Sequence, residues 1–398
     1  MKKERFFRIV KKIVTPSLIK GIILLLPITL LIIFKAKGGD LKLEDFFAID
    51  TFAAIVLAFL CQGLADIIVK SIEKKNEDCI KLTDNYKALV KKYSREQLLT
   101  YQGEKFPTVC LLLRKANDPS FHLMFDDSKF NKKYQLPSQV ARQSDFLMKA
   151  HAYSKVYNQL NIRLDNLVCE GENVTLCYSQ TYYYDSLITN RAMDYLWESG
   201  KSVREVYEPG PFLNPLDESR LSNHLGFNGF VETSDGKIII VRRGKKLSIG
   251  KDTWASSIGA SLKAVYALND ERKLDAVGLS NAIKKEIWDE LYIDIAPDVD
   301  MTQSIFAFYR DIVEGGKPQF LFYYKLENCT FEAFENHFKG CYQERNNVVD
   351  GTSFMGLTIE QCRECRLTAN GFSYQGQFYK MTASAAASLA MLLQHLQN

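Results

Sequence analysis

After residue 20 the sequence lacks a surplus of positive charge. The whole chain carries a formal net charge of +4, but its first 20 residues hold seven Lys or Arg and one Glu, which leaves −2 for the rest. A protein that wraps long nucleic acid needs a basic surface. We therefore expect no polymeric nucleic acid as a partner, while a small anionic ligand held by a few Arg or Lys remains compatible with the charge.

Polar residues are scarce in two stretches near the start of the chain, Leu18 to Phe34 and Ile49 to Val69. A bilayer core of roughly 30 Å needs about 17 to 25 helical residues. The two runs therefore predict a transmembrane hairpin, and buried core helices are the alternative. Basic residues resist translocation, and they flank the outer ends of both runs. The sequence thus predicts a multi-pass membrane protein with both termini in the cytoplasm.

The cysteines lack the pattern of a disulfide framework. There are nine, an odd number at scattered positions, and a cytosolic location disfavours disulfides. A zinc site is one alternative, because Cys362 and Cys365 have ligand spacing and His337 and Cys341 form a looser second half. Buried or inert thiols are the other alternative.

The composition divides the chain into four segments. These are a two-helix transmembrane hairpin with a basic N-terminal segment at 1–70, a helical stalk at 71–100, a mixed α/β region at 101–207 and a C-terminal domain at 208–398. Residues 101–207 lack any motif that names a function. The expected fold class is an α-helical transmembrane hairpin with a cytosolic α/β part.

Three carboxylates lie at helical spacing near the middle of the C-terminal domain. Glu286, Asp289 and Glu290 share one face of a predicted helix that ends near Ile293. Carboxylates crowded in this way repel one another unless a cation screens them, so they form a candidate Mg²⁺ site. A solvated acidic face is the alternative.

Strand patterns precede this helix. Residues 229–233 and 237–243 flank Asp235-Gly236, a pair typical of a hairpin turn. Residues 253–260 predict another strand, and Gly259 within it marks a place where backbone can approach a ligand. The order is therefore hairpin, strand with a glycine, long loop and acidic helix.

The stretch from Gly226 to about Ile293 resembles the Nudix hydrolase family. The resemblance implies a mixed sheet between helices, and it places Glu286, Asp289 and Glu290 at the three acidic positions of the family's metal-binding helix. A Mg²⁺ there would orient a water, with Glu290 as the catalytic residue if the protein is active.

Four positions depart from the family signature. Lys285 stands where the family has Arg, Tyr292 where it has Gly, Val277 where it has Glu and Glu271 where it has the first Gly. Lys loses the planar grip of Arg on a carboxylate, and Val removes a charge from the metal region. These changes predict a domain that binds a phosphate-containing ligand and is more a binding module than an enzyme, with Mg²⁺ as a possible rather than a firm cofactor.

A membrane hairpin followed by a Nudix-like domain also resembles effectors of cyclic-oligonucleotide-based anti-phage signalling (CBASS). This resemblance implies a sensor for a cyclic di- or trinucleotide made by a partner nucleotidyltransferase. It also implies a location in the inner membrane and homo-oligomers that disrupt this lipid bilayer. The ligand would contact Arg242, Arg243, Trp254 and Lys263. Gln62 and Asp66, four residues apart in the second run, are candidates for a pore or an assembly surface.

Two other function classes remain open. One is a membrane-anchored Nudix hydrolase that cleaves nucleoside diphosphate derivatives with Mg²⁺. The other is a structural or scaffolding membrane protein.

Overall fold

The structure is a computed structural model that describes residues 62–68, 82–149, 157–197, 199–244, 252–345, 349 and 351–397. By its internal contacts the chain divides into two compact units, Met1–Cys79 and Ile80–Asn398. The first unit is described only at 62–68, where the backbone is helical. The four segment boundaries expected from the sequence stay predictions.

The predicted transmembrane hairpin needs correction. In the part of the chain that the structure describes, no helix is both long and apolar enough to cross a membrane. The prediction of two spans and that of a multi-pass inner-membrane location are therefore both wrong by this finding, because hydropathy alone does not make a spanning helix.

Much of the predicted hairpin lies outside the described residues. The first apolar run, 18–34, is not described at all, and the second is described only in part. Gln62 and Asp66 belong to the described part, where Gln62 Nε2 donates to Asp66 Oδ1 at 3.4 Å. Their role in a pore or in assembly stays a prediction.

The second unit alternates strands and helices. Its described strands are β1 (Leu98–Tyr101), β2 (Glu104–Leu113), β3 (His122–Asp126), β4 (Leu160–Glu170), β5 (Asn173–Tyr182), β6 (Gly226–Glu232), β7 (Lys237–Arg243), β8 (Trp254–Ala255), β9 (Ile258–Ser261), β10 (Ile305–Asp311), β11 (Lys317–Lys325), β12 (Gly351–Thr358), β13 (Arg366–Thr368), β14 (Gly371–Tyr374) and β15 (Gln377–Lys380). Its described α-helices are α1 (Tyr86–Lys92), α2 (Ser138–Ala141), α3 (Ser144–Lys149), α4 (Tyr183–Ile188), α5 (Val203–Tyr207), α6 (Ala264–Ala267), α7 (Ala276–Leu291), α8 (Phe331–Arg345), α9 (Ile359–Glu364) and α10 (Ala383–His395).

A nine-stranded mixed sheet is the largest described layer. Its order is β1-β2-β10-β11-β6-β7-β12, with β8 paired to β7 and β9 paired to β6. The β11–β6 pair is parallel and the other pairs are antiparallel. Two three-stranded sheets, β3-β5-β4 and β13-β14-β15, accompany it. The second unit is thus α/β with mixed strand directions.

The sheet forks next to the hairpin of β6 and β7. These strands are in register at Glu232 and Ile238, and beyond that point β9 pairs with β6 while β8 pairs with β7. Ser257 bridges the fork, because its hydroxyl accepts from the Val231 N–H at 2.8 Å and donates to the Ile239 carbonyl at 2.5 Å. The single strand predicted at 253–260 is therefore two short strands, separated where a side chain takes over the hydrogen bonds.

Helices cover both faces of the large sheet. On one face α7 and α8 bury Ile283, Ile287 and Phe334 against strand residues such as Phe227 and Phe320. On the other face α10 buries a leucine-rich surface against other strand residues: Leu389, Leu392 and Leu393 pack with Phe230, Ile240, Phe306 and Leu321. Burial of these side chains at about 25 cal/mol per Å² of apolar surface is the main force that holds the three layers together.

Candidate functional site

Helix α7 carries the predicted acidic face, and it begins at a capping side chain and ends at a left-handed residue. It begins at the cap residue Asp275, whose Oδ1 accepts from the Gly278 N–H at 2.7 Å. It ends at Tyr292, which has a left-handed backbone with φ 55° and ψ 29°. This is the position where the family signature has glycine, the residue that adopts such a conformation at least cost.

Burial of the Tyr292 side chain compensates for the free-energy cost of its left-handed backbone. Its side chain is 1% exposed, with its ring centroid 5.3 Å from Phe338 and 6.2 Å from Trp288. A fully buried aromatic side chain contributes several kcal/mol, which exceeds the roughly 1–3 kcal/mol that a non-glycine residue loses in a left-handed region. Tyr292 therefore ends the helix in a conformation that glycine adopts at less cost.

Glu286 is neutralised within the chain. Its side chain is 5% exposed, and the Lys263 ammonium donates to its Oε1. Burial raises the pKa of Glu286, and the positive charge of Lys263 opposes that shift. A buried carboxylate needs such a partner, because an unpaired charge loses its hydration without compensation.

Asp289 also has a lysine partner. The Lys285 ammonium, one turn earlier on α7, donates to Asp289 Oδ1, and both side chains are more than one-third exposed. The ring of Tyr266 lies 5.5 Å from each of the ammonium groups of Lys263 and Lys285. These five residues, Lys263, Tyr266, Lys285, Glu286 and Asp289, form what we call the lysine–carboxylate cluster.

Glu290 lies at a separate small cavity. With Arg243, Gly259, Ser256 and Ser257 it lines a space of about 10 Å³, enough for about one water molecule. A Cβ on Gly259 would lie 3.1 Å from Asn228 Oδ1 and 3.8 Å from Arg243 Nη1. The groups that approach the Gly259 backbone closely are therefore the side chains of Asn228 and Arg243.

The carboxylates do not form a ready metal site. Among the residues that the structure describes, no group of three or more His, Cys, Asp or Glu could hold a metal ion. Two of the three predicted ligands, Glu286 and Asp289, hold ammonium groups instead. As arranged, the donor set does not fit Mg²⁺, and the assignment of Glu286, Asp289 and Glu290 as metal ligands stays a prediction.

The four predicted ligand-binding residues lie in different local settings. Arg242 pairs with Asp252 at 2.9 Å, and both side chains are almost half-exposed. Trp254 stands opposite Arg242 in the β7–β8 ladder and packs edge-on against Tyr379 at 6.0 Å. Arg243 lines the small cavity, and Lys263 belongs to the lysine–carboxylate cluster. Their role in binding stays a prediction.

A polar network beneath α10 escaped the sequence analysis. Asn228 Nδ2 donates to Tyr309 Oη at 2.5 Å, and Tyr309 Oη lies 3.1 Å from Ser384 Oγ. Gln319 Nε2 donates to Ser384 Oγ at 3.0 Å. The network joins β6, β10, β11 and α10, which are far apart in the chain, so no local spacing could reveal it.

The four residues of the zinc alternative are divided between the two cores. His337 Nε2 lies 3.0 Å from the Tyr292 carbonyl and 3.5 Å from Cys341 Sγ, and Cys341 packs on the α7 side of the sheet. Cys362 and Cys365 are buried on the α10 side. Burial raises the pKa of these two thiols to about 12 and about 11, respectively. The structure therefore does not bring the two halves of the zinc alternative together.

Comparison with known proteins yields structural matches alone. No protein-family model matches the chain, and no curated protein matches its sequence. Among solved structures, a MutT protein from Methanosarcina mazei Go1 matches 43% of this chain over 92% of its own length, with 10% identity and a TM-score of 0.24. DR0079 from Deinococcus radiodurans matches 44% of this chain over 83% of its own length, with 14% identity and a TM-score of 0.24. At this TM-score the matches carry no argument about function.

Proposed function

We propose that the second unit is a Nudix-like ligand-binding domain that recognises a phosphate-containing nucleotide without hydrolysing it. The observation that supports this proposal best is the lysine–carboxylate cluster, in which Lys263 and Lys285 neutralise two of the three predicted metal ligands. A Mg²⁺ would have to displace Lys263 from a buried carboxylate. Hydrolysis that depends on the metal is therefore disfavoured. The lysines that disfavour it are cations, which are compatible with binding of a phosphate group.

The proposed ligand is a cyclic di- or trinucleotide supplied by a nucleotidyltransferase. This class is supported by a charge balance that suits a small anion better than a polymer and by the resemblance of the Gly226–Ile293 stretch to the Nudix hydrolase family, whose signature helix engages a diphosphate through a metal. Ligand binding would act by favouring a homo-oligomeric state over the unassembled one.

The full-length chain should be titrated by calorimetry with a panel of cyclic di- and trinucleotides. We expect binding of at least one member and no turnover of it. The absence of binding across the whole panel would remove the proposal.

The competing function is a Nudix hydrolase, and the position of Glu290 at the small cavity favours it. The same protein should be incubated with nucleoside diphosphate derivatives and Mg²⁺. Turnover that disappears in Glu290→Gln would establish the hydrolase, and we expect none in either protein.

Removal of the two lysines provides a direct test of the neutralisation argument. In the variant Lys263→Met/Lys285→Met three carboxylates remain on one face, and Glu286 and Asp289 have lost their ammonium partners, so millimolar Mg²⁺ should raise its melting temperature. The wild type should show no such shift. A Mg²⁺-dependent rise of similar size in the wild type would contradict the argument.

A further inference from the structure

Two cations hold the same carboxylate oxygen where the turn between β10 and β11 meets the chain that follows α4. Lys317 Nζ lies 3.2 Å from Glu314 Oε2, and Arg191 Nε lies 3.8 Å from the same oxygen. The side chains of Lys317, Glu314 and Arg191 are 5%, 11% and 14% exposed, respectively. Charged groups at this depth have lost most of their hydration and need partners of opposite charge. Glu314 supplies that partner from within the chain.

An uncharged histidine lies beside the two cations. The His224 side chain is fully buried, with its ring 6.1 Å from that of Tyr183, and the Tyr183 hydroxyl accepts from Arg191 Nη1 at 2.6 Å. Burial lowers the pKa of His224 well below its usual value, and the charges of Lys317 and Arg191 lower it further. The imidazole is therefore neutral at pH 7, so it can donate one hydrogen bond and accept another.

One nitrogen of this histidine is not satisfied by the chain. His224 Nε2 lies 3.0 Å from Ser261 Oγ, whereas the buried Nδ1 atom has no hydrogen-bond partner among the described residues. Buried polar atoms in folded proteins almost always have such a partner. In the tautomer whose Nε2 accepts from the Ser261 hydroxyl, Nδ1 carries the proton and can donate it to an anion.

The cluster reaches the surface of the protein along one rim. Tyr183, Arg191 and Ser261 are partly exposed. Gly226 is the register partner of Ser261, and a Cβ on it would lie 3.3 Å from Lys317 Cε. The Lys317 side chain therefore lies against the backbone that pairs with Ser261, so the rim and the buried cation are neighbours.

The turn that carries Glu314 is fixed through its backbone. Asn190 Nδ2 donates to the Glu314 carbonyl at 2.9 Å. The Arg204 guanidinium donates to the carbonyls of Ile312 and Val313, at 2.7 Å in each case. None of these bonds uses the Glu314 carboxylate, so the carboxylate can leave the two cations while the turn keeps its place.

We propose that a phosphate group of the ligand replaces the Glu314 carboxylate between Lys317 and Arg191 and accepts a third hydrogen bond from His224. A phosphate presents more acceptor oxygens than a carboxylate, so it can serve all three donors. Glu314 is then an internal stand-in for the ligand anion. The inference rests on the proposed function for the class of ligand, a nucleotide.

Glu314→Gln tests the stand-in role in the full-length chain, because it removes the competing charge and keeps the size of the side chain. Inorganic phosphate should raise the melting temperature of this variant by at least about 2 °C relative to sodium chloride of equal ionic strength. Glu327→Gln is the matched control, since it removes an exposed carboxylate just beyond the far end of β11. Phosphate should leave the melting temperature of the control unchanged, and an equal response of the two variants would overturn the inference.

Calorimetry with the panel of cyclic di- and trinucleotides extends the test to the ligand. Glu314→Gln should bind the recognised nucleotide at least about tenfold more tightly than the wild type does. Arg191→Gln should bind it at least about tenfold more weakly, as expected for the loss of a hydrogen bond between charged groups. Glu327→Gln should bind like the wild type, and circular dichroism should show that all variants are folded.

The outcomes separate the two proposals. If the wild type binds a nucleotide and neither Glu314→Gln nor Arg191→Gln changes the affinity, the inference falls and the proposed function stands. If Glu314→Gln weakens binding, the carboxylate contacts the ligand itself, and the stand-in role is overturned. If phosphate stabilises Glu314→Gln but no nucleotide binds to any of the proteins, the proposed function falls and a site for inorganic phosphate remains.

Discussion

At the scale of single residues, charge compensation decides what the acidic helix can do. Lys263 lies 23 positions before Glu286 in the chain and reaches it from the segment between β9 and α6. The spacing of the acidic residues placed them correctly on one helix, but it contained no information about a cation that arrives from another element. The predicted metal ligands were therefore visible in the sequence, whereas their neutralisation was not.

Lys263→Met should destabilise the protein by about 3 kcal/mol at pH 7, because it leaves the buried Glu286 carboxylate without its partner. Lys285→Met is the matched control, and it should cost less than about 1 kcal/mol because both side chains of its ion pair are more than one-third exposed. Urea unfolding at equilibrium measures both values. Equal losses of unfolding free energy in the two variants would contradict the difference that we expect between the buried and the partly exposed ion pair.

The deficit of Lys263→Met should shrink in acid. Burial raises the pKa of Glu286 in the folded state, and without Lys263 it should rise further. When the pKa of a carboxyl group is higher in the folded state, the protonated form of the group favours folding. The stabilisation from Glu286 is therefore complete below the unfolded pKa of about 4.3, and it is lost as the pH rises through the pKa of the folded state. Urea unfolding near pH 4 and at pH 7 checks this, and a deficit that does not depend on pH would refute it.

Asp311 is a second buried carboxylate, at the start of the β10–β11 turn. Burial and the neighbouring Glu314 raise its pKa to about 7, although Lys317 and Arg204 pull it down. Because the folded pKa lies above the unfolded value of about 3.9, the group stabilises the fold in acid and loses this contribution as the pH rises to about 7.

Asp311→Asn should remove that pH dependence. Asn retains an acceptor for the Val313 N–H, which donates to Asp311 Oδ1 at 2.9 Å, so the geometry is preserved. The variant should gain about 1–2 kcal/mol over the wild type at pH 8 and lose the advantage near pH 4. Urea unfolding across this pH range tests the expectation, with the exposed Asp270→Asn as a control that should follow the wild-type profile.

At the scale of elements, α7 depends on a close contact with α6. A Cβ on Gly278 would lie 2.0 Å from the Ala267 carbonyl oxygen, a distance that no pair of such atoms tolerates. The periodicity predicted the helix and its apolar stripe, because those depend on spacing within one element. The contact with α6 and the break between β8 and β9 depend on partners elsewhere, and the sequence pattern did not show them.

Gly278→Ala should therefore destabilise the protein by about 1–3 kcal/mol through overpacking. In an unobstructed helix the same change would stabilise it by about 0.5–1 kcal/mol, so the sign of the effect is the test. Asn281→Ala, at an exposed position of the same helix, should be neutral or slightly stabilising. Thermal unfolding distinguishes the cases, and a higher melting temperature for Gly278→Ala would contradict the contact.

At the scale of the whole molecule, the transmembrane hairpin is the prediction from hydropathy that has to be corrected. Hydropathy predicted a spanning hairpin from two apolar runs, and no described helix is long and apolar enough to cross a membrane. The strand and helix patterns from Gly226 to Ile293 predicted the secondary structure there more accurately than hydropathy predicted the hairpin. The reason is that amphipathic periodicity shows which face of a helix or strand is buried. The nine-stranded sheet itself was not predictable, because strands β1 and β2 join it from before residue 208.

A fragment that comprises Ile80–Asn398 should fold by itself, since this unit holds the two large described cores and all three described sheets. Its far-UV circular dichroism should show mixed α/β content, and thermal unfolding should be cooperative. A chain that begins at 208 is the informative comparison, because it lacks β1 and β2 and leaves one side of β10 unpaired. Equal stability of the two fragments would contradict the importance of those strands.

The pairing of β2 with β10 has a consequence for how the protein is made. Val109 and Arg310 are register partners, so about 200 residues separate the two strands in the chain. At about 5–20 residues per second a ribosome needs roughly 10–40 s to produce the second strand after the first. During this interval one edge of β2 has no native neighbour, and unpaired strand edges promote aggregation. Expression at slower synthesis rates or with a holding chaperone should therefore change the yield of folded protein more than its final stability.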